Sequence, residues 1–565
     1  MPRCLRAGFI ALILSGAGLA PGHAQDGSTG LSGAYLAARA AVIQGDHRAA
    51  GSYFDRALAI DPENEVLIGN AMFAQAALGN WTRASEIAAM VPDDAEGRGV
   101  VDLINFVSLI RDEEMSAALA EVAAQRGAGP LIDGLALGWL HLADGNMSRA
   151  TAAFEAVAID PILADMARYH LGLARAAVGD FEGADAIFSG QEFGPLQATE
   201  RSVRAHAEIL VQLERADAAL DLLDQSTAAI PDPALLALRG QIAAGEPGTY
   251  DFVTTPGQGL AEVFYTIARG LGPEGGGSLT LLYARAAHVI DPDHIEAVLF
   301  AGDILLEGRQ YAMAADTFAA IPDDSRHYPE AQMGVADALA EQDRIPEAIT
   351  VLRAVTQAHP ELATIQAALG DILRRDEQCA EAIDAYTAAL DLVDTDQPRY
   401  WFIFYTRAIC YHEQDNWDPA EADFRRALEL SPDQPNVLNY LGYSLVEQRR
   451  SLDEALGMIE RAVAARPDSG YIVDSLGWVY YRLGRYDEAV APMERAVELE
   501  PNDPVINDHL GDVYWMVGRR REAEFQWHRA LSFEPDEEEA VRIRLKLDVG
   551  LDAVLEEEGG VGEGQ

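Results

Sequence analysis

Lysine is all but missing from this chain. Lys546 is the only one in 565 residues, the other cations are arginines, and 42 Lys+Arg stand against 91 Asp+Glu for a formal charge of −49. Nucleic acids and anionic lipid surfaces are bound through cationic side chains, so a chain this acidic repels both, and no nucleic-acid partner is expected. Cysteine is almost as scarce: three residues are too few for a disulfide framework or a zinc ligand set. Beyond residue 24 no stretch reaches the roughly eighteen uninterrupted apolar residues of a membrane span. The common catalytic signatures are missing as well, with no H-E-x-x-H, G-x-S-x-G or G-x-x-x-x-G-K-[ST]. The run GPEGGGS at 272–278 looks superficially like a phosphate loop but has no lysine and no preceding strand, and reads as a flexible turn. His412 and His509 have no second histidine one helical turn away, and Asp291-Pro292-Asp293-His294 lacks the Gly and distal Glu of a calcium loop. No catalytic residue, cofactor or metal is expected, so the chain is not expected to be an enzyme.

What is present is ample core material, 49% hydrophobic residues, preceded by an address. Arg3 and Arg6 flank the start of an apolar run of fourteen at 7–20, and Pro21-Gly22-His23-Ala24 puts small residues at the −3 and −1 positions of a cut after Ala24. This is the layout of a Sec-type signal peptide, which predicts a periplasmic protein. The cut removes two arginines and no acid, taking −49 to −51.

The rest of the chain is periodic. Gly442, Gly477 and Gly511 are 35 and 34 apart; Ala420, Ala455, Ala489 and Ala523 step by 35, 34 and 34; Pro432, Pro467, Pro501 and Pro535 do the same. Upstream, Gly302, Ala336 and Gly370 are spaced by 34, as are Ala314, Ala348 and Ala382. Each unit reads as two amphipathic helices. In residues 469–501, Gly484 ends the first helix, Asp487 is the expected cap of the second, Pro501 stops the unit, and Gly477 and Ala489 allow close approach. Pro492 falls inside the second helix, where a kink is expected.

The pattern resembles the tetratricopeptide repeat (TPR). The unit at 504 carries Leu510, Gly511, Tyr514, Ala523, Trp527, Ala530 and Pro535 at signature positions, and the unit at 401 carries Ala408, Tyr411, Ala420, Phe424, Ala427 and Pro432. The resemblance implies an all-α fold, a right-handed α-solenoid of about thirteen TPR-like helix pairs with a C-terminal capping helix. The expected organisation is a signal peptide over 1–24, a degenerate array over 25–244, a linker or loop over 245–260, a regular array over 261–535, and a capping helix with an acidic disordered tail over 536–565. Residues 93–130 fit poorly and are expected to hold one degenerate helix pair. The Gly-, Pro- and Thr-rich segment 245–256 reads either as a hinge or as a plain surface loop. Val541, Leu545 and Leu547 to Val549 are expected to cover the last repeat. By register Cys379 opens one helix and Cys410 lies late in the next, so the thiols fall within bridging distance; two buried apolar cysteines are the alternative.

In TPR proteins the first helices line a concave groove, and the resemblance assigns that groove residue by residue. The unit at 401 supplies Phe402, Tyr405 and His412, and the next supplies Asn436, Asn439 and Tyr443. The unit at 470 supplies Tyr471, Asp474, Trp478, Tyr481 and Arg482, and the last supplies Asp508, Asp512 and Trp515. Aromatics among amides and carboxylates suit a protein or peptide partner; the alternative is that some of these rings pack between repeats.

The runs 439–443 (NYLGY), 474–478 (DSLGW) and 509–515 (HLGDVYW) resemble a group of envelope TPR proteins of Gram-negative bacteria. Its best-understood members are outer-membrane lipoproteins that bind a carboxyl-terminal processing protease and present cell-wall hydrolases to it. That likeness implies a periplasmic, non-catalytic adaptor. The chain departs from the group in having no Cys directly after its apolar run, so no lipid anchor of its own is expected. A component of a polysaccharide-export or outer-membrane biogenesis complex is the alternative, and self-association through the ends of the array stays open.

Overall fold

A computed structural model of the protein describes residues 30–44, 46–92, 98–229, 233–245, 248–272 and 277–558. The expected signal peptide, the tail from residue 559 and the middle of the glycine run at 273–276 lie outside the described residues. Within them are thirty-one α-helices and no strand. Fourteen consecutive helix pairs, against the thirteen or so expected, are joined by one unpaired helix, Pro233–Ala243, and closed by two C-terminal helices, Glu537–Val549 and Leu551–Glu557. The poorly fitting segment holds one pair, Gly99–Arg111 and Met115–Ala123.

The small residue of the first helix makes room for a large one of the second. A Cβ at Gly477 would lie 2.6 Å from Met493, at Gly511 2.4 Å from Trp527, at Gly302 2.4 Å from Phe318 and at Gly370 2.6 Å from Tyr386. In each case the large side chain stands four residues after the periodic alanine, one helical turn further on the same face.

The turn inside a repeat is a Schellman motif. Arg485 N–H donates to Tyr480 O (2.9 Å) and Gly484 N–H to Tyr481 O (3.0 Å), with Gly484 at φ +72°. The second helix, Tyr486–Leu499, is preceded by Arg485; Asp487 sits in its first turn and is not the cap. The helix runs on through Pro492.

The chain divides into two compact units, Met1–Arg344 and Ile345–Gln565, and the composition break at 245–260 lies inside the first. There, helix Pro256–Leu271 packs against the first helices Pro130–Ala143 and Ala164–Ala177, while Ser278–Ile290 packs against Glu65–Ala77 and Gly99–Arg111. The chain's own helix pair thus covers the first-helix face of the preceding repeats. Gly259 makes the approach possible, since a Cβ there would sit 2.2 Å from the buried Trp139.

A buried polar network fixes this packing. Glu262, fully buried, accepts from Arg201 Nη2 (2.5 Å), Tyr169 Oη (2.8 Å) and His294 Nε2 (3.1 Å). Burial works against its charge, but Arg201 and His294 overcome that and hold the carboxyl well below its usual range. Trp139 Nε1 donates to His170 Nδ1 (3.2 Å), so the ring proton lies on Nε2, toward Thr266 Oγ1 (3.1 Å). Burial lowers His170 to about 4, and the ring is neutral.

The segment after residue 247 is packed into the first unit. Phe252 and Val253 are buried, Arg201 stacks over the Phe252 ring at 4.4 Å, and Asp251 N–H donates to Glu208 (3.2 Å). Its apolar core anchors it in a way that its Gly and Pro content conceals.

In the second unit Cys379 and Cys410 are buried free thiols, and Cys379 Sγ donates to Glu413 (2.9 Å). The capping helix is present, with a different face inward. Ala540, Ile543 and Lys546 are buried, Leu545 and Leu547 are half-buried, and Val541 and Val549 are exposed. Two buried aspartates select a lysine where leucine was expected, as the site geometry makes plain.

Candidate functional site

Four first helices of the second unit, Trp401–Glu413, Pro435–Glu447, Gly470–Arg482 and Pro504–Met516, carry every residue assigned to the groove. Charges from successive helices converge on one of them. Tyr443 is half-buried, and burial, Glu447, Asp474 and Glu539 push its phenol well above the usual range against the pull of Arg482. Tyr443, Glu447, Asp474 and Arg482, from two successive first helices, are therefore near neighbours.

Part of that face is floor. Trp478 is stacked between Tyr481 (centroids 4.7 Å, 10°) and His509 (3.9 Å, 15°), and all three are buried. Trp478 Nε1 donates to Glu447 Oε1 (2.6 Å), and Arg482 pairs with the same carboxylate at 3.3 Å. Asp474, also buried, faces His509 Nδ1 at 3.0 Å. Burial opposes the imidazolium, yet Asp474, Asp508 and Asp512 together raise His509 above its ordinary value. A cationic ring on an indole face gains a further attraction. The chain Glu447–Trp478–His509–Asp474 ties three successive repeats together.

The end of the face is covered by the chain itself. Lys546 Nζ, fully enclosed, reaches Asp508 Oδ2 (2.7 Å) and Asp512 Oδ1 (2.6 Å), and Trp527 Nε1 donates to the latter (3.0 Å). Trp515 lies against Trp527 (5.3 Å) with the Arg520 guanidinium 4.0 Å over its ring, and a Cβ on Gly550 would meet it at 2.7 Å. Asp508, Asp512 and Trp515 stand at the expected positions, but the capping helices occupy them.

The accessible part is Phe402 (38% exposed) and Tyr471 (41%), with Tyr405, Asn439, Tyr443 and Arg482 half-buried and Asn436 exposed. Asn439 Oδ1 is enclosed without a hydrogen-bond partner. His412 Nδ1 meets Tyr440 Oη at 3.3 Å, and Tyr440 also packs on Phe424 (5.0 Å) and Tyr405 (6.2 Å).

Glu447, Tyr440 and the role of His509 were missed in the sequence. The signal was the repeat step itself: Asp474 and His509 are opposite charges 35 residues apart, on neighbouring first helices. Among the described residues no three His, Cys, Asp or Glu side chains are grouped to hold a metal ion, and no helix is long and apolar enough to cross a membrane.

Comparison with known proteins follows the same segments. The tetratricopeptide repeat family matches at residues 41–100, 301–363, 361–433 and 441–504. Over 186 residues, 33% of this chain, the sequence is 29% identical to a TPR repeat-containing protein of Pseudomonas aeruginosa. Over 104 residues, 18% of the chain, it is 30% identical to the E3 ubiquitin-protein ligase CHIP of Arabidopsis thaliana. The matches take in 30% and 35% of those proteins, so the chain spans about a third of the length of the curated relatives it matches. Among solved structures, the Cut9–Hcn1 hetero-tetramer of APC/C is similar over 92% of this chain and 96% of that one, at 15% identity and a TM-score of 0.40. YrrB, a TPR protein with an unusual peptide-binding site, is similar over 34% and 97%, at 20% identity and a TM-score of 0.28.

Proposed function

We propose that this chain, a tetratricopeptide repeat protein, is a non-catalytic interaction scaffold that takes a protein or peptide segment on the first-helix face of its second unit. Proteins of this repeat family bind protein partners. The observation that carries the assignment to this face is the pair of exposed rings Phe402 and Tyr471, on the first helices before and after the one that carries Asn439, whose amide oxygen has no hydrogen-bond partner. A buried polar atom without a partner is costly. A carboxamide both donates and accepts, which matches a peptide backbone, while the rings suit apolar side chains. The rigid floor of Trp478, Tyr481 and His509 holds the face in place before any partner arrives, which limits the ordering cost of binding.

The site of action we propose is the periplasm, on the strength of the basic, apolar and small-residue layout of residues 1–24. The partner we propose is a carboxyl-terminal processing protease, with cell-wall hydrolases as the substrates presented to it. This rests on the likeness of 439–443, 474–478 and 509–515 to the envelope adaptors.

The test is capture from envelope extract by the immobilised chain lacking residues 1–24, with mass-spectrometric identification, beside an Asn439→Ala/Arg482→Ala variant whose helicity and melting are checked. Recovery of a processing protease by the parent and its loss with the variant is the expected outcome. Recovery of export or barrel-assembly proteins instead moves the protein to envelope assembly. Equal recovery by parent and variant removes the site from this face.

A further inference from the structure

In a chain with more than twice as many acids as bases, Arg285 of the first unit is largely withdrawn from solvent without a carboxylate partner. Arg285 Nη2 donates to Thr317 Oγ1 (2.8 Å), and Nε is enclosed with no hydrogen-bond partner. Its titratable neighbours include two imidazoles: burial lowers His47 and His288, and the Arg285 guanidinium adds to the lowering of both, against Asp46 at the first and Asp293 at the second. Burial alone lowers Arg285 itself to about 10, with no carboxylate opposing the shift. Other arginines buried in this unit do meet carboxylates, as Arg201 meets Glu262 and Glu296, and Arg98 meets Asp102. A half-buried guanidinium whose Nε is enclosed without a partner, and whose one acceptor is neutral, is an arrangement that stability alone does not favour.

The surroundings say what would complete it. Ser278, Leu281 and Arg285 are spaced i, i+3, i+7 on helix Ser278–Ile290 and so share one face, and helical side chains lean back toward the N-terminus. Ser278 and Leu281 line a cavity of about 230 Å³ whose wall also includes Phe54, Phe73 and Ile304, with His47 at its polar side. That is smaller than the roughly 300–1,000 Å³ of a pocket for a drug-sized ligand, and suits a tail of a few carbons.

We propose that Arg285 and this cavity form a binding site for a free carboxylate bearing a short apolar tail. The guanidinium takes the carboxylate through the N–H groups Thr317 leaves unused, and the tail enters the cavity between Phe54, Phe73 and Leu281. The site lies wholly in the first unit and does not rest on the peptide-binding face of the second.

The test uses the full chain with N-acetyl-leucine, its neutral amide twin, 4-methylpentanoate and inorganic phosphate, read by calorimetry and thermal shift. N-acetyl-leucine should bind and raise the melting temperature, and its amide should bind at least about tenfold more weakly. If 4-methylpentanoate binds as well as N-acetyl-leucine, the ligand is a small free acid; if it binds less well, the ligand is a peptide terminus. Arg285→Met should lose binding by about tenfold or more. It should melt no lower than the parent without ligand, because it removes an uncompensated charge. Equal effects of acid and amide on the parent chain overturn the proposal without recourse to any variant. So does binding of phosphate alone, binding retained in Arg285→Met, or a parent that binds none of the probes while Arg285→Met melts lower, which would make the arginine structural.

Discussion

Lys546 occupies a place where a charge is tolerated only because two others meet it. Its ammonium is 1% exposed, lies between Asp508 and Asp512, and has the Trp527 ring 5.7 Å away. Taking away one partner of a buried ion cluster leaves the rest uncompensated and costs about 3–5 kcal/mol. Asp512→Asn should therefore loosen the helix Glu537–Val549 ahead of the repeats it caps. The composition supplies the probe: this is the only lysine in the chain, so an amine-reactive reagent can modify no other side-chain ammonium. Labelling of the Lys546 peptide, followed by mass spectrometry, should be slow in the parent and at least about tenfold faster in Asp512→Asn. Labelling of the parent at the rate of a free lysine would mean that the cap does not form.

Among the described residues, the turns within repeats use a left-handed residue, and the repeats meet that demand unequally. Gly79, Gly145, Gly179, Gly484 and Gly518 occupy it at φ +71° to +83°. Elsewhere the same place holds Glu113, Glu214, Arg309, Asp343, Glu377, Asp415 or Arg449 at φ +54° to +62°, where a Cβ crowds the carbonyl. Glu377 and Asp415 are exposed, so changing them disturbs little else. Glu377→Gly and Asp415→Gly should each stabilise the second unit by about 0.5–1 kcal/mol, read as a higher urea midpoint at unchanged slope; a lower midpoint would show that the turn carries no strain to relieve. Such elements were legible in the sequence because their information is local: Gly477 and Met493, sixteen residues apart, already encode how one helix pair closes. The four first helices that carry the residues assigned to the groove were legible for the same reason, through register. What stayed hidden is pairing over long separations. Tyr169 meets Glu262 93 residues on and Arg201 meets it 61 residues on, and no periodicity marks either. The burial of Trp478 was hidden too, because His509 of the next repeat decides it. At the cap, an apolar-face argument chose Val541, Leu545 and Leu547 to Val549, of which only Leu545 and Leu547 are even half-buried, and passed over Lys546, since Asp508 and Asp512 were read as partner-facing when they are its counter-charges.

At the scale of the molecule, the two units should respond to pH in opposite directions. In the first, His170 is held to about 4 against about 6.5 in an open chain. Between those values the unfolded state binds more protons, so stability falls as pH drops from 6.5 toward 4, by something on the order of 3 kcal/mol. Protonation also strikes a bond, because Nδ1 accepts from Trp139 only while the ring is neutral. Glu262, held well below its usual range, and Glu296, lowered to about 2 despite burial by Arg201 and the nearby histidines, add a second loss once pH falls below the ordinary carboxylate value. In the second unit His509 is raised, so its contribution is complete below about 6.5 and is lost as pH rises through the folded value. His412, lowered by burial, works the other way in the repeat at 401–413, which confines the contrast to Gly470–Arg482 and Pro504–Met516. Hydrogen exchange at pH 7.5 and pH 5, corrected for the intrinsic rate, should show Ala164–Ala177 and Pro256–Leu271 losing protection on acidification while those two helices gain it. Asp474→Asn should abolish the gain, and parallel behaviour of the two units would mean that neither histidine governs its unit. The helix pair that covers the first-helix face in the first unit is thus fastened by groups that acid releases, whereas the floor of the proposed binding face in the second is held more firmly by the same change.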